Sequence, residues 1–156
     1  MTPDTNPATQ EILARMRAFI DRELIPLEPE FLRNALAVEP ALNQKRELVK
    51  KAGLWAPGLP KDVGGMGLSL VDLGLASEEL GRTPIGHYVF GAQAPDMGNA
   101  ELLHMHGNAE QKKKYLLPLA HGDLRSCFAM TEPHTAGANP VLLQTRAVRD
   151  GDDYVI

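Results

Sequence analysis

The sequence predicts a mainly α-helical domain at residues 1–125, followed at residues 126–156 by the first strands of a truncated β domain. Three observations support this prediction. Helix-capping signals recur through the first part of the chain, and the apolar residues there repeat at three- and four-residue spacing. After Arg125 a short apolar run and then an alternating pattern appear instead, as they do in strands.

The first predicted helix begins beside Asn6, which can cap it, with Pro7 at the first helical position. Its apolar stripe consists of Leu13, Met16, Ile20 and Leu24, and Pro26 is expected to end it. A second helix is expected over residues 40–52, with Gly53 as a left-handed cap.

A stretch rich in glycine and proline, residues 54–67, excludes a regular helix. It lacks a Gly-Lys-Ser/Thr ending and a preceding strand, so neither a P-loop nor a Rossmann phosphate loop fits. We therefore interpret it as a structural loop that Trp55, the only tryptophan, fixes to the core.

Three further helices follow. Ser69 and Asp72 form the capping signal of a helix that ends at Gly81 and is expected to bury Leu70, Leu73 and Leu80. After a short helical stretch from Thr83, Asp96 can cap a helix over residues 97–106 that Gly107 closes. Asn108 and Gln111 form a capping box for a helix to about residue 119, which Pro118 and Gly122 terminate.

The β part is expected to start with a strand at residues 126–131, followed by a loop over residues 132–140. Alternation at Val141, Leu143, Thr145 and Ala147 predicts a second strand, and Asp150-Gly151 predicts a hairpin turn into a third. Because so few strands do not make a self-sufficient sheet, we expect a partial gene product whose unpaired edges promote self-association.

Composition excludes several classes of function. The net charge of −4 argues against nucleic acid as a partner, because phosphate binding needs a basic face. The single cysteine, Cys127, excludes an internal disulfide and is expected to be a small buried hydrophobe. Neither a membrane-spanning run nor a secretory signal is present, which favours a cytoplasmic location and no membrane insertion.

Few residues outside residues 131–140 have a pattern that points to chemistry. His104 and His106 lie roughly 200° apart on a helix, so we expect no metal site there. Lys112-Lys113-Lys114 and Glu78-Glu79 are expected to be solvated. Residues 131–140 form either a ligand-binding loop, whose small residues allow backbone N–H groups to approach a phosphate, or an ordinary turn. Nothing positions a partner for Glu132, which favours a structural acid over a general base.

Several segments resemble the acyl-CoA dehydrogenases, in the family's order. Phe128-Ala129-Met130-Thr131-Glu132-Pro133 resembles the family's Tyr/Phe-x-Met/Val-Thr-Glu-Pro signature. The other matching segments are Leu59-Pro60 through Gly64-Gly65-Met66-Gly67, Glu78-Glu79-Leu80-Gly81, residues 107–116 and residues 150–156. Ala94-Pro95-Asp96-Met97-Gly98-Asn99 is similar to the Ala-Pro-Asp-x-Gly-Asn motif of one branch, the long multidomain type.

The resemblance implies an N-terminal helical domain, a middle β domain and a C-terminal four-helix domain, with FAD between the last two. It implies oxidation of an acyl-CoA thioester to the trans-2-enoyl-CoA, with a glutamate removing the α-proton while a hydride leaves to FAD. Electron-transfer flavoprotein is the implied electron acceptor, and a homo-oligomer is the implied assembly. The expected catalytic glutamate lies beyond Ile156, so we expect this segment alone to be inactive.

The resemblance also assigns individual residues. Phe128, Met130 and Thr131 are expected to line the flavin ring, and Gly137 and Ala138 to lie near the FAD pyrophosphate and the CoA thioester arm. Asp96, Met97 and Asn99 are expected near the acyl tail. The family usually has Ser-Asp where this chain has Ala138-Asn139, and a hydrogen bond lost there costs roughly 0.5–1.5 kcal/mol.

Two alternatives remain open from the sequence. The same fold serves acyl-CoA oxidases and flavin monooxygenases, which pass electrons to oxygen. In a different class, the chain is a non-catalytic helical module for binding or assembly, which should expose an apolar patch.

Overall fold

The structure is a computed structural model that describes residues 6–135 and 139–156. The chain divides into two units, Met1–Ser126 and Cys127–Ile156. The first is helical and the second contains two short strands, which confirms the predicted fold class. None of the helices in the described ranges is long and apolar enough to cross a membrane.

Eight α-helices are present among the described residues. They are α1 (Pro7–Phe19), α2 (Glu28–Arg33), α3 (Glu39–Lys51), α4 (Leu70–Leu80), α5 (Gly86–Val89), α6 (Asp96–His106), α7 (Ala109–Gln111) and α8 (Leu117–His121). Single 3₁₀ turns lie at Ile25–Leu27, Lys61–Val63 and Pro140–Leu142.

The predicted helix caps at Asn6, Ser69 and Asn108 are confirmed. The Asn6 side chain accepts the backbone N–H of Thr9 at 2.9 Å. Asn108 and Gln111 form the reciprocal capping box, with distances of 2.8 and 2.9 Å. These side chains satisfy backbone N–H groups that the first turn of a helix leaves without intrahelical partners.

Two prolines expected to end helices lie just beyond wide turns. A π-helical turn at Ile20–Leu24 precedes Pro26, and another at Lys112–Leu116 precedes Pro118. Proline has no N–H to donate and its ring crowds the preceding turn, so the wider turn lets the chain continue in a helical course. The prediction that these two prolines terminate their helices was therefore wrong.

One hydrophobic core lies within the helical unit, and Trp55 joins the glycine-rich loop to it. The indole is 7% exposed and donates its N–H to the Ala120 carbonyl at 2.8 Å. The predicted role of Trp55 is thereby confirmed. The largest fully buried side chains include Met16, Ile20, Leu24, Leu54, Leu80, Ile85, Phe90 and Leu116.

Helix α4 buries Leu80 as predicted but differs from the prediction at Leu70 and Glu79. Leu70 is 86% exposed, whereas Glu79 is buried at 7%. Glu79 accepts hydrogen bonds from Arg17 of α1, one of them from Nε at 3.0 Å, and these bonds lower the pKa of Glu79 below its ordinary value. A carboxylate can be buried when a cation from a neighbouring element compensates it, and the sequence does not show that neighbour.

The second unit contains the antiparallel hairpin β1 (Val148–Asp150) and β2 (Asp153–Val155). Its turn is confirmed, and Gly151 takes the left-handed φ of +61° that such a turn uses. The strands predicted at residues 126–131 and 141–147 are absent, and Cys127 is exposed rather than buried. An apolar run becomes a strand only when a partner strand accepts its hydrogen bonds, and no described strand pairs with these segments.

Candidate functional site

The residues predicted to face the flavin ring lie on an exposed segment at the start of the second unit. Phe128 is 59% exposed and Met130 is 37% exposed. Thr131 is exposed, and its hydroxyl makes no hydrogen bond within the described ranges. Exposed apolar side chains beside a free hydroxyl suit a flat ligand with apolar faces and a polar edge. Gly137 and Ala138 lie outside the described residues.

The Glu132 carboxylate holds this segment to the chain that returns toward the hairpin. It accepts the backbone N–H of Gln144 at 2.9 Å and that of Thr145 at 2.6 Å. The hydroxyls of Thr145 and Thr135 also donate to it. These bonds tie residue 132 to residue 145. Glu132 therefore closes a loop that begins directly after Thr131.

The chemistry of Glu132 follows from these bonds. Donors that favour the ionised form lower its pKa from the ordinary 4.5 to about 2, with the Thr145 hydroxyl the largest cause. A carboxylate that is ionised over the physiological range and accepts several hydrogen bonds is poorly suited to take a proton from carbon. The geometry supports the interpretation of Glu132 as a structural acid.

We expect a carboxyl titration to detect this loop closure. The pKa of Glu132 is lower in the folded chain than in the unfolded chain. The stabilisation of the folded loop by the ionised carboxylate is therefore complete above about pH 4.5 and is lost as the pH falls through about 2. The side-chain carbon resonance of Glu132 should titrate near pH 2 in the chain. In a peptide of residues 128–136 it should titrate near its ordinary value. A midpoint near 4.5 in both samples would contradict the hydrogen-bonded loop.

The predicted acyl-tail segment lies at the start of α6, and Asp96 occupies the first helical position there. Its side chain does not cap α6, contrary to the prediction. The carboxylate instead accepts hydrogen bonds from the Ser126 N–H at 2.7 Å, the Ser126 hydroxyl at 2.8 Å and Arg125 Nε at 2.7 Å. Asn99 donates to the same Ser126 hydroxyl at 2.9 Å. The two polar side chains of the segment thus converge on Ser126, a residue that the sequence did not single out.

Met97 and Asn99 line different hollows. The Met97 sulfur packs beside Gly58 and Leu73, where a Cβ at Gly58 would lie 2.9 Å from it. Asn99 lies at the edge of a hollow of about 250 Å³. The other residues around that hollow are mostly apolar: Leu102, Leu103, Tyr115, Leu119, Leu124, Arg125 and Ser126. An apolar hollow of this kind suits a hydrocarbon chain.

Arg46 of α3 is a buried arginine. Arg46 is 8% exposed, and its guanidinium lies 4.7 Å from the Trp55 ring centre and 4.6 Å from that of Tyr88. It donates to the carbonyls of Tyr88 and Gly122 at 2.7 and 3.2 Å, and burial lowers its pKa below its ordinary value. In the sequence Arg46 is one more charged residue on a polar helix. No local signal distinguishes it as a buried cation between two aromatic rings.

The glycine-rich loop borders a cleft of about 660 Å³ that includes Lys50, Lys61, His121 and Asp123. The backbone N–H groups of Gly64 and Gly65 already donate to the carbonyls of Lys61 and Pro60. They are therefore not available to a phosphate, and the loop is structural. Within residues 6–135 and 139–156 no His, Cys, Asp and Glu side chains cluster in a way that could hold a metal ion.

The chain is similar to known proteins of one family. The family model described as acyl-CoA dehydrogenase, N-terminal domain, matches residues 6–123. Human acyl-CoA dehydrogenase family member 11 is 38% identical over 156 residues, covering 94% of this chain but 20% of the relative. The chain therefore spans about a fifth of that curated relative's length.

Two solved structures resemble the chain in fold. A Mycobacterium abscessus protein described as an acyl-CoA dehydrogenase shares 34% identity with a TM-score of 0.87, over 96% of this chain and 40% of that one. A chain of the ChsE4–ChsE5 complex from Mycobacterium tuberculosis shares 30% identity with a TM-score of 0.71, over 99% of this chain and 38% of that one.

Proposed function

Because the chain belongs to the acyl-CoA dehydrogenase family through its N-terminal domain, we propose that it is part of an FAD-dependent acyl-CoA dehydrogenase. The complete enzyme oxidises an acyl-CoA thioester to the trans-2-enoyl-CoA. FAD, when bound, supplies the hydride acceptor. Electron-transfer flavoprotein is the proposed acceptor of the electrons, and a homo-oligomer is the proposed assembly.

The observation that carries this proposal is the exposed segment of Phe128, Met130 and Thr131. In our proposal the two apolar side chains cover the flavin ring, because both are exposed and make an apolar surface that a flat ring can bury. The free Thr131 hydroxyl meets the polar edge of the ring. Gly137 and Ala138 are proposed to approach the FAD pyrophosphate and the CoA thioester arm.

We propose that Asp96, Met97 and Asn99 lie near the acyl tail. The apolar hollow beside Asn99 supports this, because its lining suits a hydrocarbon chain. Asp96 acts through Ser126 and Arg125, since its carboxylate is occupied by them. The Met97 sulfur packs near Gly58, as Leu73 does.

We infer that the catalytic base is none of the acids described above. Glu132 is committed to hydrogen bonds with Thr135, Gln144 and Thr145. Glu79 is buried against Arg17. Neither carboxylate is free to collect an α-proton. As the family resemblance implies, we propose that the base is a glutamate beyond Ile156.

Flavin retention tests the proposed cofactor site. We expect the purified chain, mixed with FAD and desalted, to keep a flavin absorbance band. Phe128→Ser should strongly reduce this retention, because it removes the larger of the two apolar side chains proposed to cover the ring. Thr131→Val should weaken FAD binding roughly three- to tenfold, because it removes one hydrogen bond worth about 0.5–1.5 kcal/mol.

Val141→Ser is the matched control, since Val141 is 87% exposed in the same unit and has no proposed role. It should retain FAD as the unaltered chain does. A colourless unaltered chain would show that this wall does not bind FAD without the rest of the enzyme. Equal loss of FAD in Phe128→Ser and Val141→Ser would contradict the assignment of the ring to Phe128.

A further inference from the structure

The polar side chains of the Ala94–Asn99 motif share one partner, Ser126. We propose that Asp96 and Asn99 are positioning residues that fasten Ser126 to α6 and so fix the point from which the predicted flavin segment begins. The link to flavin rests on the proposed function. The contacts themselves all lie within the helical unit, so they are testable without any ligand.

Ser126 forms three hydrogen bonds with Asp96 and Asn99. Its hydroxyl donates to Asp96 Oδ1 at 2.8 Å and accepts from Asn99 Nδ2 at 2.9 Å. Its backbone N–H donates to the same Asp96 oxygen at 2.7 Å. A serine hydroxyl has one proton to donate and lone pairs that accept, so the two side chains use it in complementary ways. Ser126 is thus held through both its backbone and its side chain.

Asp96 also binds Arg125, and this contact needs a charged carboxylate. Its second oxygen, Oδ2, accepts from Arg125 Nε at 2.7 Å. An asparagine in its place would keep one acceptor oxygen and present an NH₂ group to either Arg125 or Ser126, which both donate. The position of Asp96 at the first residue of α6 also favours a negative charge, because the helix dipole is positive there.

Arg125 also contacts side chains that lead toward the core. Its guanidinium lies 5.1 Å from the ring centre of Tyr88, which also contacts buried Arg46. Arg46 in turn lies over Trp55. Asp96 therefore connects the end of the helical unit to the side chains that fix the glycine-rich loop. Direct substrate ligands would instead keep their polar atoms available, whereas both carboxylate oxygens of Asp96 and the amide nitrogen of Asn99 are engaged.

Backbone amide hydrogen exchange at Ser126 tests the proposal, since that N–H is the one bound by Asp96. Asp96→Asn should speed exchange at Ser126 about tenfold or more, while the most protected amides of α3 and α6 change little. Asp123→Asn is the matched control. Asp123 is an exposed acid of the same unit, and its side chain makes no hydrogen bond in the described structure. It should leave Ser126 exchange unchanged.

If Asp96→Asn fails to fold, a second set of variants still tests the proposal. A nitroxide on Cys127, the only cysteine, should gain mobility in Asn99→Ala and in Ser126→Ala. The double variant should be no more mobile than Ser126→Ala, because both changes act on the same hydroxyl. Ser126→Thr keeps that hydroxyl and should restore the spectrum of the unaltered chain.

Additive mobility in the double variant, or Ser126 exchange unaffected by Asp96→Asn, would overturn the proposal. Both readouts are made without FAD. A chain that binds no flavin would therefore show that the wall of Phe128, Met130 and Thr131 does not hold FAD without the rest of the enzyme, while the fastening of Ser126 is judged separately.

Discussion

Gly65→Ala is expected to destabilise the helical unit strongly. An added Cβ at Gly65 would lie 2.1 Å from the Leu59 carbonyl oxygen and 2.5 Å from its carbon. Those atoms are backbone, and the same oxygen accepts the N–H of Gly67 at 2.8 Å, so relief requires the loop to move. We expect a loss in the free energy of unfolding at the upper end of the ~1–3 kcal/mol typical of overpacking, or beyond it.

Gly74→Ala is the matched control, because it is the same chemical change in the middle of α4. Nothing lies within 4 Å of an added Cβ there. Alanine favours a helix over glycine by roughly 0.5–1 kcal/mol, so this variant should be more stable than the unaltered chain. Urea unfolding followed by circular dichroism measures both changes. Equal stability of the two variants would mean that the loop around Gly65 is not packed as described.

Trp55→Ala is expected to produce the second large effect. The indole is buried, donates to Ala120, and forms one wall of the stack that holds the Arg46 guanidinium. Removing it leaves a cavity and takes away one of the aromatic faces over a buried cation. Tryptophan-to-alanine changes in cores cost about 3–5 kcal/mol, so we expect much of the unit's stability to be lost.

Trp55→Phe separates the contributions of the ring and the indole N–H. Phenylalanine keeps an aromatic face for Arg46 but has no N–H for the Ala120 carbonyl, which should cost about 1 kcal/mol plus a smaller packing loss. Both variants are followed by the far-ultraviolet signal, because the chain has no other tryptophan to report by fluorescence. If Trp55→Ala were as stable as Trp55→Phe, the stack would contribute nothing to the fold.

The capped helix ends could be predicted because each cap signal spans only a few residues, whereas the ends assigned to Pro26 and Pro118 were wrong. Asn6, Ser69 and Asn108 each bind a backbone N–H three residues ahead, and Gly53 and Gly122 take the left-handed φ that a helix end uses. The strands were predicted less well. The hairpin at Gly151 was found because its turn is local, whereas residues 126–131 needed a partner that their own composition does not specify.

The sequence could nominate residues for the candidate site but could not predict their contacts. The motifs pointed to Phe128, Met130 and Thr131, and to Asp96, Met97 and Asn99, and these residue roles stay predictions. The sequence could not show that Asp96 and Asn99 share Ser126. It also could not show that Glu132 gathers Gln144 and Thr145. Side-chain polar atoms choose partners by position in space, and a motif records only position in the chain.

By itself, then, the sequence determined where several helices begin, which family the chain resembles, and which residues are candidates for the site. Only the tertiary structure decided which charges are buried and what compensates them. Glu79 meets Arg17 across 62 residues, and Arg46 meets Gly122 across 76. Helix caps depend on hydrogen bonds within one turn, whereas the environment of a charge depends on which distant elements pack around it.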